Sequence, residues 1–454
     1  MNSFQCFSLL LTIFVLLVNV NCDLDEPGYE PDYEAIIKQL LDPQYLSNET
    51  VGYHSNDPDF DASIEQLIES RGFNYEKHYI ETKDGYILGV YRLINPFVDQ
   101  SSRSTLKPIV LQHGFLGVGS DFLINAPGGN AVPCNNSTDN YFLNKLNSTE
   151  NNDLGFLLAN LCYDVWLSNS RGNGYSRNHT TLNPDKDAEF WKFTIDDLIA
   201  YDTPAIIDYV LNQTGFSSLG WIGHSQGTMI MFGLLSEKPE YSAKVKPFIA
   251  LAPVFYVQHL KMILKFAAKI PFILSILKDK GGELADNIPI MTILDKLTCP
   301  KWDKVLCFRI LYPILGYNLE QINKTRVDVY RNQKGSGSSL WNLVHFGQNV
   351  NSGDFHKFDF GKEENQRRYG QPKPPVYKLD DINSTSIALL YSKSDDLGDQ
   401  KDVEKLIETL KVPLLRDHFI PLPSWNHFDF LYAKDSYQYV NSVVIGILSS
   451  LDWQ

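Results

Sequence analysis

The 454-residue chain has no excess of positive charge, few cysteines and a single long apolar run. Its formal net charge of −14 argues against nucleic acid as the main partner, because an acidic surface repels phosphates. It has 29 glycines and 23 prolines, too few for a collagen-like or low-complexity chain. With 43% hydrophobic residues it is too apolar to be disordered. A large folded globular protein remains.

The long apolar run lies close to the N-terminus, at residues 7–20. It is too short to cross a hydrocarbon core comfortably. We predict a signal peptide over residues 1–22, with cleavage before the acidic Asp23. A retained signal anchor is the alternative, because little positive charge precedes the run. No second run of spanning length follows, so we expect no transmembrane segment in the mature chain.

Asn-x-Ser/Thr sequons, the acceptor sites of N-glycosylation, are spread along the chain. The eight asparagines are Asn48, Asn135, Asn136, Asn147, Asn178, Asn212, Asn323 and Asn383. Each single sequon is weak evidence, since the pattern also arises by chance. Their number together with the leader predicts a glycoprotein that enters the secretory pathway and is secreted or lysosomal.

Four of the six cysteines lie beyond the predicted leader. Cys299 and Cys307 are close enough in sequence for a short loop between them to close as a disulfide. Cys162 begins an apolar run and is interpreted as a buried thiol, whereas Cys134 lies in a polar segment. A bridge between Cys134 and Cys162 is the open alternative.

Short apolar runs alternate with helical segments, which is typical of an α/β protein with a mainly parallel sheet covered by helices on both faces. A hairpin is predicted at 77–93, and buried strands at 108–112, 163–167, 219–222, 247–251, 386–391 and 414–420. After an acidic arm at 23–61, the α/β core occupies 62–252 and 378–454. Residues 253–377 carry helical stretches without clear strands, and we predict an inserted helical cap or lid.

The segment Gly223-His224-Ser225-Gln226-Gly227 contains the pattern Gly-x-Ser-x-Gly. It lies between an apolar strand and an apolar helix candidate, which predicts a sharp turn, the nucleophile elbow, that projects the Ser225 hydroxyl. The two glycines leave space around the serine. The following helix N-terminus presents N–H groups to developing negative charge. An ordinary tight strand-to-helix turn is the alternative.

A serine nucleophile needs a base and an acid that orients it, here in the chain order serine, acid, histidine. His427 follows the last predicted strand, where such sites collect their groups, and is the predicted base. His418 lies inside that strand and is predicted to pack. The acid should follow the preceding strand, where position alone leaves Asp395 and Asp396 open. Asp399 is predicted to cap the next helix.

An oxyanion hole requires two backbone N–H donors. One belongs to Gln226, directly after the nucleophile. The other is assigned to Phe115, in the loop that follows the strand at 108–112. The neighbouring His113 is predicted to brace this loop rather than to take part in catalysis.

Seven segments together resemble the acid lipase family. They are LQHGF at 111–115, LCYDVWLSNSRGN at 161–173, EFW at 189–191, DDLIAYDTPAIIDYV at 196–210, GHSQGT at 223–228, ALAPV at 250–254 and WNHFDF at 425–430. This family includes gastric and lingual lipases, lysosomal acid lipase and insect lipases, and the match covers roughly Asp61 to Ser449. The resemblance implies an α/β-hydrolase with a helical cap and lid. It also implies hydrolysis of triacylglycerols or cholesteryl esters at a lipid–water interface, without a metal or a cofactor.

The resemblance further selects among the residues left open above. The family's acid lies in a Gly-Gly-Asn-Asp-Leu-Leu-Ala-Asp-type motif, which laid on 392–399 implies Asp395, although Ser-Lys-Ser precedes it here. The family's cap disulfide is similar in position to Cys299–Cys307. Phe115 stands where leucine is usual, a change that a backbone donor tolerates.

Lysines recur every four residues in the predicted cap, at Lys261, Lys265 and Lys269, within an otherwise apolar segment. Such a segment suits a lipid interface or a lid. A cap helix with a solvated lysine face is the alternative. For the whole protein, the alternatives are a short-chain carboxylesterase and a catalytically idle lipid-binding or storage protein on the same fold. The lipase motifs disfavour a serine peptidase.

Overall fold

A computed structural model of the chain describes residues 57–134, 152–260, 281–284, 320–331 and 333–451, with 275, 278, 279 and 318. Within these residues eight strands form one sheet, in the order β1-β2-β4-β3-β5-β6-β7-β8. They are β1 (Asn74–Glu81), β2 (Ile87–Ile94), β3 (Lys107–Gln112), β4 (Tyr163–Leu167), β5 (Leu219–His224), β6 (Val245–Leu251), β7 (Ile387–Ser392) and β8 (Arg416–Ile420).

The sheet is mainly parallel, as the alternation of strands and helices predicts. β1 and β2 form the expected antiparallel hairpin, and β2 pairs antiparallel with β4. From β4 onwards all neighbours are parallel. The carboxyl ends of β3, β5, β7 and β8 therefore meet at one edge. Each predicted parallel strand begins and ends within two residues of the observed one.

The expectation that β8 is a buried strand is wrong. Among the described strands β8 is the last one of the sheet, and its one partner there is β7. Arg416, Asp417 and Phe419 are exposed, and only Ile420 is buried. An edge strand is open to solvent, which explains its polar composition.

Twelve α-helices are found in the described part of the chain. They are α1 (Ile64–Ser70), α2 (Gln100–Arg103), α3 (Leu154–Asn160), α4 (Ile195–Asp197), α5 (Thr203–Thr214), α6 (Gln226–Glu237), α7 (Val327–Arg331), α8 (Leu340–Ser352), α9 (Lys362–Tyr369), α10 (Gln400–Thr409), α11 (Asp429–Tyr432) and α12 (Ser442–Ser449). A π-helical turn at Leu198–Asp202 joins α4 to α5. The predicted cap of α10 is confirmed, because the Asp399 carboxylate accepts the Lys401 N–H at 2.9 Å.

Within the described residues two large apolar clusters form most of the core, one on each face of the sheet, and a small third cluster contains Leu157 and Ile445. Side chains of a strand alternate between faces, and in β5 Trp221 belongs to one cluster and Ile222 to the other. Phe232 of α6 packs in the first cluster, and Phe156 of α3 in the second. Side chains of the parallel strands pack in both clusters. This packing on both faces fixes the positions of the carboxyl ends of these strands.

Cys134 and Cys162 form a disulfide with a Cα–Cα distance of 5.2 Å. The interpretation of Cys162 as a buried thiol is therefore wrong, and the open alternative holds. The predicted Cys299–Cys307 pair lies outside the described residues, as do the leader and the three cap lysines.

Four of the eight sequon asparagines lie within the described residues. Asn178, Asn212 and Asn383 are exposed, and Asn323 is partly exposed. The described residues contain no helix with the length and apolar composition needed to cross a bilayer. The division of the chain into core and cap stays a prediction.

Candidate active site

The elbow residue Ser225 lies between β5 and α6, with φ 54° and ψ −119°. This is a strained conformation for a residue with a side chain, and such strain occurs where a reactive group must project from the backbone. A Cβ on Gly223 would lie 2.5 Å from the Gly227 carbonyl oxygen, and one on Gly227 would lie 2.6 Å from that of Gln112. Only glycine therefore fits at either position. The predicted sharp turn is present in the structure.

His427 and Asp395 meet at the same edge of the sheet. The Nδ1 of His427 lies 2.9 Å from Oδ1 and 3.0 Å from Oδ2 of Asp395. Both side chains are fully buried. Because Asp395 engages Nδ1, the Nε2 of His427 is the ring nitrogen left to face a nucleophile. This is the tautomer that a general base of this kind needs.

The turn after β7 holds Asp395 in place. Its Oδ1 accepts the backbone N–H groups of Leu397 at 2.9 Å and Gly398 at 2.7 Å. Burial opposes ionisation, but the His427 ring and these two amides outweigh it, so the pKa of Asp395 lies below its ordinary value. The structure thus brings Asp395 to the imidazole as a carboxylate, while the adjacent Asp396 is partly exposed.

Asn426 joins the two turns that carry these residues. Its Oδ1 accepts the backbone N–H of His427 at 2.7 Å and that of Asp396 at 3.3 Å. The N–H of Asn426 in turn donates to Asp429 Oδ2 at 2.7 Å. The sequence pattern assigns no role to Asn426 or Asp429, although both lie in the WNHFDF segment with His427.

His224 links the elbow to the histidine turn. Its Nε2 donates to the His427 carbonyl oxygen at 3.0 Å, and the two ring centroids are 4.8 Å apart. Burial and the neighbouring His427 ring lower the pKa of His224 to about 3, so it stays neutral. His427 is thereby placed beside the residue that precedes Ser225.

The loop after β3 lies directly against the elbow. A Cβ on Gly114 would be 3.0 Å from the Cβ of Ser225, so Phe115 follows a point of close approach. His113 braces this loop, as predicted: its Nδ1 donates to the Gly114 carbonyl at 2.7 Å, and its Nε2 accepts the Ser170 N–H at 3.0 Å. Burial lowers the pKa of His113 to about 4, which suits this neutral bracing role.

Helix α8 contacts both residues predicted to form the oxyanion hole. The Gln226 Nε2 donates to the Asn342 Oδ1 at 2.8 Å, and Asn342 Nδ2 lies 3.4 Å from Gln226 Oε1. One turn further along α8, the Phe346 ring lies 5.3 Å from that of Phe115, centroid to centroid. The sequence carries no local signal for these contacts, because the Gln226 partner is 116 residues away.

A buried carboxyl anchors the far end of the loop after β3. Asp121 Oδ2 accepts the Val118 N–H at 3.1 Å, and its Oδ1 accepts the hydroxyl of Tyr432 in α11 at 3.1 Å. Burial raises the pKa of Asp121 to about 7. The same cause raises the pKa of Asp429 to about 7 beside His427.

One edge of the sheet thus carries a hydroxyl on an elbow, an imidazole paired with a carboxylate, and a close loop with backbone donors. This set of groups suits acyl transfer through a serine nucleophile. In the part of the chain that the structure describes, no grouping of three or more His, Cys, Asp or Glu side chains is arranged to hold a metal ion.

Two family models match the chain. A partial α/β-hydrolase lipase region matches residues 64–126, and the α/β-hydrolase fold matches residues 107–271. The second match contains β3 to β6 and the elbow, in agreement with the observed sheet.

Curated relatives match over most of their length and most of this chain. Gastric triacylglycerol lipase of Bos taurus is 33% identical over 401 residues, covering 88% of this chain and 94% of that protein. Lysosomal acid lipase/cholesteryl ester hydrolase of Rattus norvegicus is 34% identical and covers 82% and 88%. Lipase lipl-5 of Caenorhabditis elegans is 34% identical and covers 86% and 92%. The chain therefore belongs to the acid lipase family of α/β-hydrolases, a family of carboxylic ester hydrolases.

Proposed function

We propose that this protein is a secreted or lysosomal serine lipase that hydrolyses ester bonds of neutral lipids. Triacylglycerols and cholesteryl esters are the proposed substrates, because the bovine relative is named for the first and the rat relative for the second. The observation that carries the mechanism is the pairing of His427 with both oxygens of Asp395, beside the elbow of Ser225.

In the acylation step, the Ser225 Oγ attacks the ester carbonyl carbon while its proton passes to His427 Nε2. Asp395 stabilises the imidazolium without taking the proton. The carbonyl oxygen becomes an oxyanion and accepts hydrogen bonds from the backbone N–H groups of Phe115 and Gln226. Collapse of this intermediate breaks the ester C–O bond, and the leaving alcohol takes the proton from His427.

In the deacylation step, water attacks the acyl-Ser225 ester and gives its proton to His427. The same two N–H groups stabilise the second oxyanion. The serine oxygen then leaves and takes from His427 the proton that water gave. This releases a fatty acid. The proton taken from Ser225 leaves with the alcohol, and a proton from water restores the Ser225 hydroxyl, so the enzyme is regenerated by these steps without a metal or a cofactor.

Replacement of Ser225 by alanine tests the nucleophile. We expect esterase activity to fall by at least ~10⁴-fold and labelling by a fluorophosphonate probe to disappear, with an unchanged melting temperature. Ser217→Ala, at the exposed amino-terminal side of β5, is the matched control and should keep full activity. Substantial activity in Ser225→Ala would refute the mechanism.

A substrate panel tests the proposed ester class. Emulsified triolein and cholesteryl oleate should be hydrolysed efficiently, and activity should rise when the substrate passes from monomers to an emulsion. A preference for soluble nitrophenyl butyrate, with no hydrolysis of either emulsion, would identify a short-chain carboxylesterase instead.

The secretory part of the proposal has its own test. The full chain, expressed in animal cells, should appear in the medium or in lysosomes with Asp23 as its first residue. A cytosolic protein that retains residues 1–22 would contradict the secretory proposal but would leave the proposed catalytic mechanism unaffected.

A further inference from the structure

A surface groove of about 360 Å³ lies between β1, α5 and the π-helical turn that precedes α5. It shares no lining residue with the catalytic turns described above. Four tyrosines line it: Tyr79, Tyr201, Tyr209 and Tyr241. Its volume is at the lower end of the range of small-ligand sites.

Asn212, the asparagine of the sequon Asn212-Gln213-Thr214, also lines this groove. It lies on α5 together with Ala205, Asp208 and Tyr209, which line the groove as well. Residues spaced by three, four and seven positions share one face of a helix. A group attached to Asn212, which is exposed, would therefore start on the groove side of α5.

The chemistry of the groove suits a sugar. A pyranose presents C–H groups on one face, which pack on aromatic rings, and hydroxyl and amide groups at its rim, which need polar partners. The Tyr79 ring supplies such an aromatic surface and is 62% exposed, more than any other large apolar side chain of the described residues. Glu81, Lys83 and Lys238 provide charged groups at the rim.

The walls of the groove are held in place without a ligand. The Tyr209 hydroxyl is hydrogen-bonded to His78 Nδ1 at 3.0 Å. The Tyr241 hydroxyl donates to Asp208 Oδ2 at 2.8 Å, and Lys238 Nζ donates to the Ala200 carbonyl at 3.1 Å. A preorganised surface loses little entropy when a ligand packs on it. A ligand tethered at the rim needs little intrinsic affinity, since its effective concentration is high.

We propose that Asn212 carries an N-linked glycan whose first N-acetylglucosamine lies in this groove, against the tyrosine rings. The inference depends on the proposed passage through the secretory pathway. The glycan then acts as a covalently attached part of the fold that fastens α5 to the hairpin strand β1.

The experiment uses the full chain secreted from cells that produce high-mannose glycans. Intact glycopeptide mass spectrometry should find Asn212 occupied. Asn212→Gln should lower the melting temperature by ~1–3 °C, whereas Asn383→Gln, which removes an exposed sequon outside the groove, should leave it unchanged. Trimming with endoglycosidase H, which leaves a single N-acetylglucosamine, should also leave it unchanged.

A double-mutant cycle identifies the contact itself. Tyr79→Ser should lower the melting temperature of the glycosylated protein but have no effect in the Asn212→Gln background. Equal effects of Tyr79→Ser in both backgrounds, or a bare Asn212 beside other occupied sequons, would overturn the groove proposal alone. A chain without glycan at any sequon would overturn the secretory proposal and this inference with it. In every case the Ser225 experiment reports separately on catalysis.

Discussion

The two halves of the candidate active site are built from different parts of the chain. On the acid–base side, His427 and Asp395 follow β8 and β7, and they are joined by Asn426 from the same region. On the oxyanion side, Phe115 and Gln226 follow β3 and β5, but their side chains contact α8, which lies in the predicted cap.

If the predicted division into core and cap holds, we expect the two regions to have separate tasks. Both members of the proton-transfer pair lie in the predicted core, and the predicted cap reaches their surroundings through Asn318, which donates to Asp429 Oδ2 at 3.0 Å. The oxyanion side depends on α8, because Asn342 fixes the side chain of one predicted donor and Phe346 packs on the other. We expect damage to α8 to change stabilisation of the transition state rather than the protonation of His427.

The largest effect is expected on the acid–base side, from Asp395→Asn. Loss of the carboxylate removes the partner that sets the His427 tautomer, so kcat should fall by ~10³–10⁴-fold. The neighbouring Asp396→Asn is the matched control and should change kcat by less than about twofold, since the pairing with His427 belongs to Asp395. An equal loss of kcat in Asp395→Asn and Asp396→Asn would contradict the assignment of Asp395 as the catalytic acid.

A smaller effect is expected on the oxyanion side, from Asn342→Leu. The variant leaves the side chain of Gln226 without its buried partner, and the loosened elbow should lower kcat by ~10-fold, less than removal of a donor itself. KM for a soluble short-chain ester and the pH profile should change little. Asn351→Leu, at an exposed position of the same helix, serves as control. A shifted pH profile in Asn342→Leu would contradict the separation of the two halves.

The smallest effect concerns two buried carboxyls, Asp121 on the oxyanion side and Asp429 on the acid–base side. Burial raises the pKa of each to about 7, above the ordinary value near 4. Between these values the unfolded chain releases the proton and the folded chain retains it. Stability should therefore fall as pH rises from about 4 to 7. The lowered pKa of Asp395 acts in the opposite sense, since its contribution is lost as pH falls below about 4.

Asp121→Asn and Asp429→Asn should each flatten this pH dependence. The difference in melting temperature between pH 5 and pH 7 should shrink by ~2 °C in either variant. Some dependence should remain in each, because burial also raises the pKa of Asp153 to about 7 and of Asp196 to about 6. An unchanged difference in both variants would show that these carboxyls do not titrate as the structure implies.

Much of the fold could be predicted from local patterns. The apolar runs located the parallel strands, and the elbow pattern located the turn at Ser225, because both are encoded by neighbouring residues. The buried state of β8 was predicted wrongly, since whether a strand lies at the centre or the edge depends on the order of the whole sheet. The disulfide partner of Cys162 could not be predicted from a local pattern either, because Cys134 is 28 residues away in sequence and reaches Cys162 only in the folded chain.

In the candidate site, too, some residues are indicated by local patterns and others are not. Motif position alone left Asp395 and Asp396 open, and resemblance rather than spacing favoured the residue that pairs with His427. Asn342 and Phe346 were missed, because an amide and a phenyl ring within a helix carry no signal of a contact with residues more than a hundred positions away. Asn426 carries a stronger sequence signal than these two residues, because it directly precedes His427 in the WNHFDF segment.

The bond between Cys134 and Cys162 has a consequence for limited proteolysis of this protein. It makes a covalent ring of the intervening residues, which include the sequons at Asn135, Asn136 and Asn147 and all of α3. A single cut inside this ring leaves both fragments attached to each other. Such a nicked molecule would migrate as one band on a non-reducing gel and as two after reduction, and its two parts would not separate while the bridge is intact.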